Sequence, residues 1–337
     1  KIREESGPDA AYFIGSSKHN NEQAYLLRKF VSLWGTNNCD HQARICHSTT
    51  VAGVANTWGY GAMTNSYNDM MNSKAMMYIG SNAAEAHPVS MLFSLHAKEN
   101  GAKMIVVDPR FTRTAAKADH YIRLRSGGDI PYLYGMMYHI FKNGWEDKAY
   151  LAARVYGIDK VKEEVMKWTP DKVTEACGVP EDQVLLAAET MAKNRPSTIV
   201  WCMGQTQHTV GSQNVRALSM VQLLLGNLGR QGGGVNALRG ESNVQGSTDQ
   251  GILAHLVTGY VGIPRAAQNP TLAAYLEKET PKTGYWSNKP KFLVSMLKAW
   301  WGDHATPENQ YAYDYLPKVE NPAHHYWISL FEDMYAG

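Results

Sequence analysis

Two short, mainly apolar runs separated by a helix signal constrain the fold of this chain more than any other feature. The runs cover residues 75–79 and 103–107. Between them, Pro88 is placed at the first turn of a predicted helix that ends at Glu99, before Asn100 and Gly101. This strand, helix, strand order predicts a parallel sheet with a right-handed crossover, whose ligand site lies beyond the carboxyl ends of the strands.

The rest of the chain extends this pattern on both sides. Residues 198–202 form another predicted buried strand, and helices are predicted at 130–142, at 212–225 and, between punctuating prolines, within 158–195. After Gly251 the regular alternation stops, and prolines, glycines and aromatic residues predict ordered loops with short helices, among them one at 292–300.

An amphipathic helix is predicted near the start of the chain, over residues 20–34. Asn20 and Asn21 are candidate caps, and Gly35 follows the last turn. Apolar residues recur at helical spacing, which predicts that they form one buried face: Leu26, Leu27, Phe30, Val31 and Trp34.

We therefore predict the α/β class, with a Rossmann-like parallel-sheet αβα domain over residues 41–240. The segments 1–40 and 241–337 are predicted to pack together as parts of a second, discontinuous α/β domain. The later of these two segments is predicted to be rich in loops.

Composition excludes several functional classes. The chain has 33 basic and 31 acidic residues, a net charge of +2 that gives no electrostatic reason to expect nucleic acid. Its four cysteines form no CxxC pair and no zinc-like spacing. No apolar run approaches the roughly 18 residues that span a bilayer.

The loops after the two apolar runs suit a nucleotide, although not a nicotinamide dinucleotide. Asp108 ends the second run, where an acidic residue suits the hydroxyls of a ribose. The loop that starts at Gly80 has one glycine where GxGxxG has three, which argues against a nicotinamide dehydrogenase. The run Thr112-Arg113-Thr114 offers donors for phosphate, and it is equally suited to capping the next helix.

Three residues are candidates for redox chemistry on a small acid. Cys46 and His47 adjoin a tract of small residues, and a thiolate beside an imidazole suits a transition-metal centre. The alternative is a structural buried cysteine with a chance neighbour. Arg239 follows a glycine-rich loop that lacks the lysine of a P-loop, and its planar fork matches a carboxylate, although a surface ion pair is the alternative.

The tracts around these residues, in this order, resemble the molybdopterin oxidoreductases of the dimethyl sulfoxide reductase superfamily. Within it, the chain is similar to the catalytic (alpha) subunits of formate dehydrogenases of the respiratory, membrane-associated type. The similar tracts are HQARICHSTTVA, GSNAAEAHP, DPRFTRTAAKAD, LRSGGDI, GQTQHTVGSQNVR, LRGESNVQGSTDQG and KPKFLVSMLKAWWGDHATPEN.

The resemblance implies roles for individual residues. Cys46 takes the position of the cysteine or selenocysteine that ligates molybdenum or tungsten. His47 takes that of the neighbouring histidine, which assists C–H cleavage as a proton acceptor or by fixing the surroundings of the metal. Arg239 takes that of the arginine that holds formate or polarises it. Glu241 departs from the glutamine or histidine of relatives. The residues in tracts resembling those that contact two molybdopterin guanine dinucleotides are Gly80, Asn82, Glu85, His87, Asp108, Arg110, Gly127, Asp129, Gly204, Gln205 and Gln207.

The implied function is oxidation of formate to carbon dioxide at a Mo or W bis(molybdopterin guanine dinucleotide) centre, with electrons passed to iron-sulfur clusters. Hydride transfer to the centre and proton abstraction by a neighbouring base are both compatible with these residues. Alternatives are another bis-pterin enzyme, such as a nitrate reductase, and a non-catalytic scaffold of the same fold. Cys46, together with His47 and Arg239, argues against the first, and retention of Cys46 argues against the second.

The resemblance also implies partners and a compartment. Expected partners are an iron-sulfur electron-transfer subunit and a membrane cytochrome b subunit, and the expected site is the periplasmic side of a membrane. Family members are longer and carry cysteine ligands for a [4Fe-4S] cluster that this chain lacks, so we expect the chain to be part of a subunit. We expect this part alone to bind the cofactor poorly.

Overall fold

A computed structural model describes residues 1–336 of the chain. Its contacts divide the chain into two compact units. We call Ile45–Gly240 the central unit, and Lys1–Arg44 together with the chain from Glu241 onward the terminal unit. The sequence-based boundaries lie at 40/41 and 240/241, so the first division falls after Arg44 instead.

The secondary structure mixes short strands with many helices. The strands are β1 (Phe13–Ile14), β2 (Cys39–Asp40), β3 (Ala75–Ile79), β4 (Lys103–Val107), β5 (His120–Ile122), β6 (Ser197–Trp201), β7 (Gly234–Ala237), β8 (Leu256–Val257) and β9 (Val261–Gly262). The helices are α1 (Ile2–Ser6), α2 (Asn21–Trp34), α3 (Ser48–Trp58), α4 (Ala83–Ala86), α5 (Pro88–Glu99), α6 (Asp129–Lys142), α7 (Lys148–Arg154), α8 (Ile158–Val165), α9 (Pro170–Cys177), α10 (Glu181–Lys193), α11 (Met203–Thr206), α12 (Gly211–Leu224), α13 (Val244–Asp249), α14 (Leu272–Glu279), α15 (Lys289–Trp301) and α16 (Leu330–Ala336).

The central unit is built on a five-stranded parallel sheet in the order β5-β4-β3-β6-β7. The chain moves outward from β3 to β4 and β5, then returns to lay β6 and β7 on the other side of β3. The order therefore reverses between β3 and β6, where a parallel sheet opens a crevice at the carboxyl ends of its strands. The predicted α/β class with a parallel sheet is confirmed, as are the bounds of β3, β4 and α5.

Helices cover both faces of this sheet because successive side chains of a strand point to opposite faces. Met77 and Ile79 of β3 join an apolar cluster with α6, α10 and α12. Met76 and Tyr78 join the opposite cluster, which includes Met91 of α5. Burial of a large apolar side chain contributes roughly 1.5–3 kcal/mol, so both clusters stabilise the three layers.

The terminal unit contains two small sheets and several helices. β1 pairs with β2 in parallel, and β8 pairs with β9 antiparallel. A separate apolar cluster surrounds α15, where Leu297 and Trp300 pack with Tyr275 and Tyr313. Among the described residues, no helix is both long enough and apolar enough to cross a membrane.

Helix α2 has the predicted bounds but only part of the predicted buried face. Asn20 accepts a hydrogen bond from the Gln23 amide in a capping box, and Gly35 ends the helix in the left-handed conformation. Leu26 and Phe30 are, however, 60% and 50% exposed. The predicted apolar face is therefore only partly correct: Val31 is fully buried and Leu27 packs beside it, whereas Leu26 and Phe30 are exposed.

The buried stripe of α2 contains smaller and charged side chains, namely Ala24, Arg28, Val31 and Ser32. The guanidinium of Arg28 is fully buried, and its Nη2 donates to Asn37 Oδ1 at 2.9 Å. Nε and Nη1 of the same guanidinium are buried without a hydrogen-bond partner among the described residues, and burial lowers the pKa of Arg28.

Candidate functional site

Two glycines meet where the strand order reverses. Gly80 follows β3 and Gly204 lies in the turn after β6, and the Gly204 amide donates to the Gly80 carbonyl at 3.0 Å. A Cβ on Gly204 would lie 2.5 Å from the Gly80 oxygen, and one on Gly80 would lie 2.7 Å from the Gly204 carbonyl carbon. Gly80 also has a φ of 59°. A side chain at either position would therefore clash with the other backbone and prevent this close approach.

A cavity of about 380 Å³ lies beside this glycine pair, at the carboxyl ends of β3, β4 and β6. Its size is within the usual range for small-molecule sites. It brings together most of the residues predicted to bind cofactor, which are Gly80, Asn82, His87, Asp108, Arg110, Asp129, Gly204 and Gln205.

Three predicted cofactor residues do not line this cavity. Glu85 is exposed, and its carboxylate lies 3.7 Å from Arg113 Nε. Gly127 is exposed with a φ of 85°, and a Cβ there would meet nothing within 4 Å. The side chain of Gln207 is exposed and donates to the sulfur of Met203. Their proposed cofactor contacts stay predictions.

Several polar groups at the cavity lack partners among the described residues. They are Ser81 Oγ, His87 Nδ1 and Gln205 Oε1, all buried. The other end of Gln205 is fixed, because its Nε2 donates to Asp129 Oδ1 at 2.6 Å. Buried polar atoms normally find hydrogen-bond partners, so this cavity suits a polar ligand.

Asp108 has the place expected of a residue that binds a ribose. It lines the cavity, and its Oδ1 accepts a hydrogen bond from the Arg110 amide at 2.9 Å. Burial raises the pKa of Asp108, against the lowering effect of this hydrogen bond and of the Arg110 charge. The carboxyl is thus held in a turn at the end of β4, with its second oxygen available to a ligand hydroxyl.

The run from Thr112 to Thr114 follows the capping alternative instead of binding at the cavity. Thr112 Oγ1 accepts from the Ala115 amide at 3.1 Å. Thr114 Oγ1 donates to Asn82 Oδ1 and accepts from the Ala84 amide, each at 3.0 Å. Thr114 therefore orients the cavity residue Asn82. The glycine-rich loop before β7 is a turn, as predicted, in which the Gly232 amide donates to Asp69.

Cys46 and His47 lie directly before α3, and they are 5% and 4% exposed. Thr49 Oγ1 donates to the Cys46 carbonyl at 2.9 Å and lies 3.3 Å from the Thr206 carbonyl. Gly53 lets α3 pack closely on α12, because a Cβ there would lie 2.7 Å from the Val215 side chain.

Sequence reasoning missed Cys202, a cavity residue that lies near both Cys46 and Arg239. It lines the cavity directly after β6. Burial raises its pKa to about 11, and the proximity of Cys46 also raises it, whereas the Met203 amide and the Arg239 charge lower it. Cys46 and Arg239, far apart in sequence, thus both act on this thiol. Its place at the carboxyl end of a predicted strand was the signal that could have identified it.

Arg239 is tied to the cavity through its backbone. The Nε2 of His87 donates to the Arg239 carbonyl, so that nitrogen carries the proton. A Cβ on the following Gly240 would lie 2.7 Å from the Met203 side chain. In the terminal unit, Glu241 lies 3.8 Å from Lys18 in a partly exposed pair. Among the described residues, no three His, Cys, Asp or Glu side chains are grouped as metal ligands.

A parallel sheet with a polar cavity at its switch point defines the class of nucleotide and cofactor-binding α/β proteins. The family model described as Molybdopterin oxidoreductase matches residues 1–309, and the chain belongs to this family. Membership implies a molybdopterin cofactor.

Curated relatives narrow the comparison. The chain is 40% identical to "Formate dehydrogenase-O major subunit" of Escherichia coli over 90% of its own length and 36% of the relative's. It is 38% identical to "Formate dehydrogenase 2 subunit alpha (cytochrome c-553)" of Nitratidesulfovibrio vulgaris over 98% of its length and 38% of the relative's. The chain thus spans little more than a third of these relatives.

A solved structure, "Acetylene Hydratase from Pelobacter acetylenicus", matches with a TM-score of 0.59 and 27% identity. The match covers 67% of this chain and 31% of the hydratase chain. This likeness supports the fold class.

Proposed function

We propose that this chain carries the metal-proximal catalytic residues of a formate dehydrogenase, which oxidises formate to carbon dioxide and releases a proton and two electrons. The observations that support it most are hydrogen bonds between these residues and the surroundings of the cavity: the cavity residue His87 donates to the Arg239 carbonyl, and Thr49 Oγ1 contacts the carbonyls of Cys46 and of Thr206, which follows the cavity residue Gln205. We therefore propose that the predicted metal ligand and the predicted substrate arginine belong to the same site. Two formate dehydrogenase subunits among the relatives agree with this substrate.

The residues present fit a pterin nucleotide. The glycine pair leaves room that a Cβ would fill, and buried polar atoms of Ser81, His87 and Gln205 have no partner among the described residues. We propose that the cavity residues hold part of a bis(molybdopterin guanine dinucleotide) with Mo or W, and that Cys46 ligates the metal. When bound, this group supplies a two-electron acceptor.

The chain's own residues bind and orient formate and accept its proton. The planar guanidinium of Arg239 pairs with the two carboxylate oxygens and directs the C–H bond. His87 positions Arg239 by holding its carbonyl. The imidazole of His47 accepts the proton, since histidine titrates near neutral pH. Burial of Cys46 and His47 excludes water from the reaction.

The partners and location of the whole enzyme are part of this proposal. Similarity to respiratory formate dehydrogenases supports an iron-sulfur electron-transfer subunit, a membrane cytochrome b subunit and a periplasmic site. The same similarity supports iron-sulfur clusters as the acceptors of the electrons from formate.

The test is formate-dependent dye reduction by the full-length enzyme, with molybdenum and tungsten measured in each preparation. We expect Cys46→Ala to lose at least about a thousandfold in kcat, because the thiolate ligand is removed. We expect Arg239→Lys to raise KM, since lysine cannot form the bidentate pair. Arg265→Lys, the same substitution at an exposed residue outside the cavity, is the matched control.

Each outcome separates the alternatives. If the metal-loaded parent enzyme is inert to formate but reduces nitrate or another oxyanion, the substrate is that oxyanion and not formate. A parent that holds no metal and has no activity supports the scaffold alternative. Full activity of Cys46→Ala would show that this cysteine is not the metal ligand.

A further inference from the structure

A second and larger cavity, of about 980 Å³, lies in the central unit and shares no lining residue with the first. It is bounded by the last turn of α3, by α7 and the start of α8, and by the second half of α12. The first cavity includes His208, which lies shortly before the start of α12.

The floor of this cavity is apolar. Aliphatic side chains come from α8, from α12 and from the loop that follows it, and they are Ile158, Val161, Met220, Leu223 and Leu228. Trp58, Tyr150 and Tyr156 add aromatic surface, and Tyr156 is fully exposed. An apolar floor of this kind accepts side chains from a partner.

The rim of the cavity is positively charged. Arg154, Arg216 and Arg230 line it, and no aspartate or glutamate does. Arg230 pairs with Asp147 at 3.0 Å. Among the side chains that the structure describes, no carboxylate lies within 4 Å of the guanidinium of Arg154 or Arg216, and both arginine side chains are exposed. Two exposed guanidiniums beside apolar side chains form a positive, partly apolar surface, which is complementary to a segment that carries carboxylates and apolar side chains.

The shape and chemistry favour a polypeptide over a small anion. A site for phosphate or a nucleotide aims buried donors at its ligand, whereas the described lining residues contribute no buried polar atom that lacks a partner. The guanidiniums lie at the exposed rim, where they meet side chains of a chain laid across the groove. Arginine and aromatic residues are also the types enriched at protein interfaces.

We propose that this arginine-rimmed cavity is a docking site for an acidic segment of a partner polypeptide. Apolar or aromatic side chains of that segment enter the floor, and its carboxylates pair with Arg154 and Arg216. The site is independent of the formate reaction, because none of its residues lines the cavity at the switch point.

The test uses the full-length enzyme and a fluorescein-labelled peptide of alternating glutamate and leucine, followed by fluorescence anisotropy. We expect the double substitution Arg154→Glu/Arg216→Glu to weaken binding at least tenfold. Lys74→Glu/Lys172→Glu makes the same change in net charge at exposed residues outside both cavities, and we expect it to change binding less than twofold. Tyr156→Ala, at a fully exposed side chain, is expected to weaken binding severalfold.

Two controls make the test decisive. Formate-dependent dye reduction and the Tm should be unchanged in all three variants, which separates docking from folding and from catalysis. Three results would each overturn the proposal. A lysine-leucine peptide could bind as tightly as the acidic one, or the Lys74/Lys172 control could weaken binding equally. The third is displacement of the acidic peptide by millimolar inorganic phosphate or a nucleotide.

Discussion

The central and terminal units bury polar groups in different ways. In the central unit, β3 is fully buried, and interior polar side chains such as Thr198 and Asn236, which share a 2.7 Å hydrogen bond, are uncharged. Polar atoms without a partner at the carboxyl ends of the strands include Ser81 Oγ and Gln205 Oε1. The interior of the terminal unit also contains charged or titratable side chains, namely Arg28, Asp40 and His41. The difference follows from connectivity, because one unit is a continuous chain on a sheet and the other joins two separate segments.

In the terminal unit, side-chain contacts join the segments. His41 Nε2 lies 3.1 Å from Thr248 Oγ1, and Arg44 Nη2 lies 3.1 Å from His255 Nδ1. Asn37 Nδ2 donates to the Pro317 carbonyl at 3.0 Å. These buried polar contacts specify how the segments pair where only two-stranded sheets are available, whereas the central unit obtains this specificity from strand register.

The largest effect is expected from Arg44→Ala. Arg44 forms a two-pronged pair with the buried carboxylate of Asp40, at 2.8 and 3.2 Å. Removing it leaves Asp40 buried without its cation, which we expect to cost about 3–5 kcal/mol. Lys98→Ala, which breaks a partly exposed pair with Asp119, should cost less than about 1 kcal/mol. Denaturant unfolding of the full-length enzyme, with hydrogen exchange to localise the loss, checks both. Equal costs would contradict the contrast between the units.

A second test addresses the glycine pair of the central unit. Gly204→Ala forces a Cβ to 2.5 Å from the Gly80 oxygen, so we expect about 2–4 kcal/mol of destabilisation and loss of bound pterin. Gly101→Ala is the matched control, since a Cβ there meets nothing within 4 Å and only the positive φ of 92° opposes it. It should cost about 1 kcal/mol and retain the pterin. Pterin content by fluorescence and Tm measure the two effects, and pterin retention in Gly204→Ala would place the cofactor elsewhere.

The terminal unit should also be the acid-sensitive one. Burial lowers the pKa of His41 and of His255 to about 4, with the Arg44 charge as the second cause for each. Because the folded pKa lies below the unfolded value near 6.5, their contribution is complete above that pH and is lost as the pH falls towards 4. We expect about 2 kcal/mol lost for each histidine at pH 5. Hydrogen exchange at pH 7 and pH 5 should show α2 opening before β3, and the opposite order would contradict this.

The smallest effect distinguishes two glutamines of one tract. Gln205→Ala leaves the buried Asp129 carboxylate without its 2.6 Å donor, which we expect to cost about 1–2 kcal/mol and to lower pterin content. Gln207→Ala removes an exposed side chain and should change stability by less than about 0.5 kcal/mol. Pterin loss in Gln207→Ala without loss of stability would instead confirm its predicted cofactor contact.

Local signals in the sequence were sufficient for most secondary structure. β3, β4 and α5 have the predicted bounds, because a short apolar run, a proline at the first turn and a following Asn-Gly are all read within a few residues. The predicted face of α2 was only partly correct because hydrophobicity alone favoured Leu26 and Phe30. The buried Arg28 contacts Asn37, a pairing that no helical periodicity encodes.

By itself, then, the sequence determined the alternation of strands and helices, the family, and the residue types of the candidate site. Only the tertiary structure decided that Gly80 contacts Gly204 and that Cys46 and Arg239 both affect the pKa of Cys202. It also decided that exposed arginines and apolar side chains line one cavity. The physical reason is range. Caps, turns and periodicity act over a few residues, whereas close approach, burial and electrostatic influence depend on segments that only folding brings together.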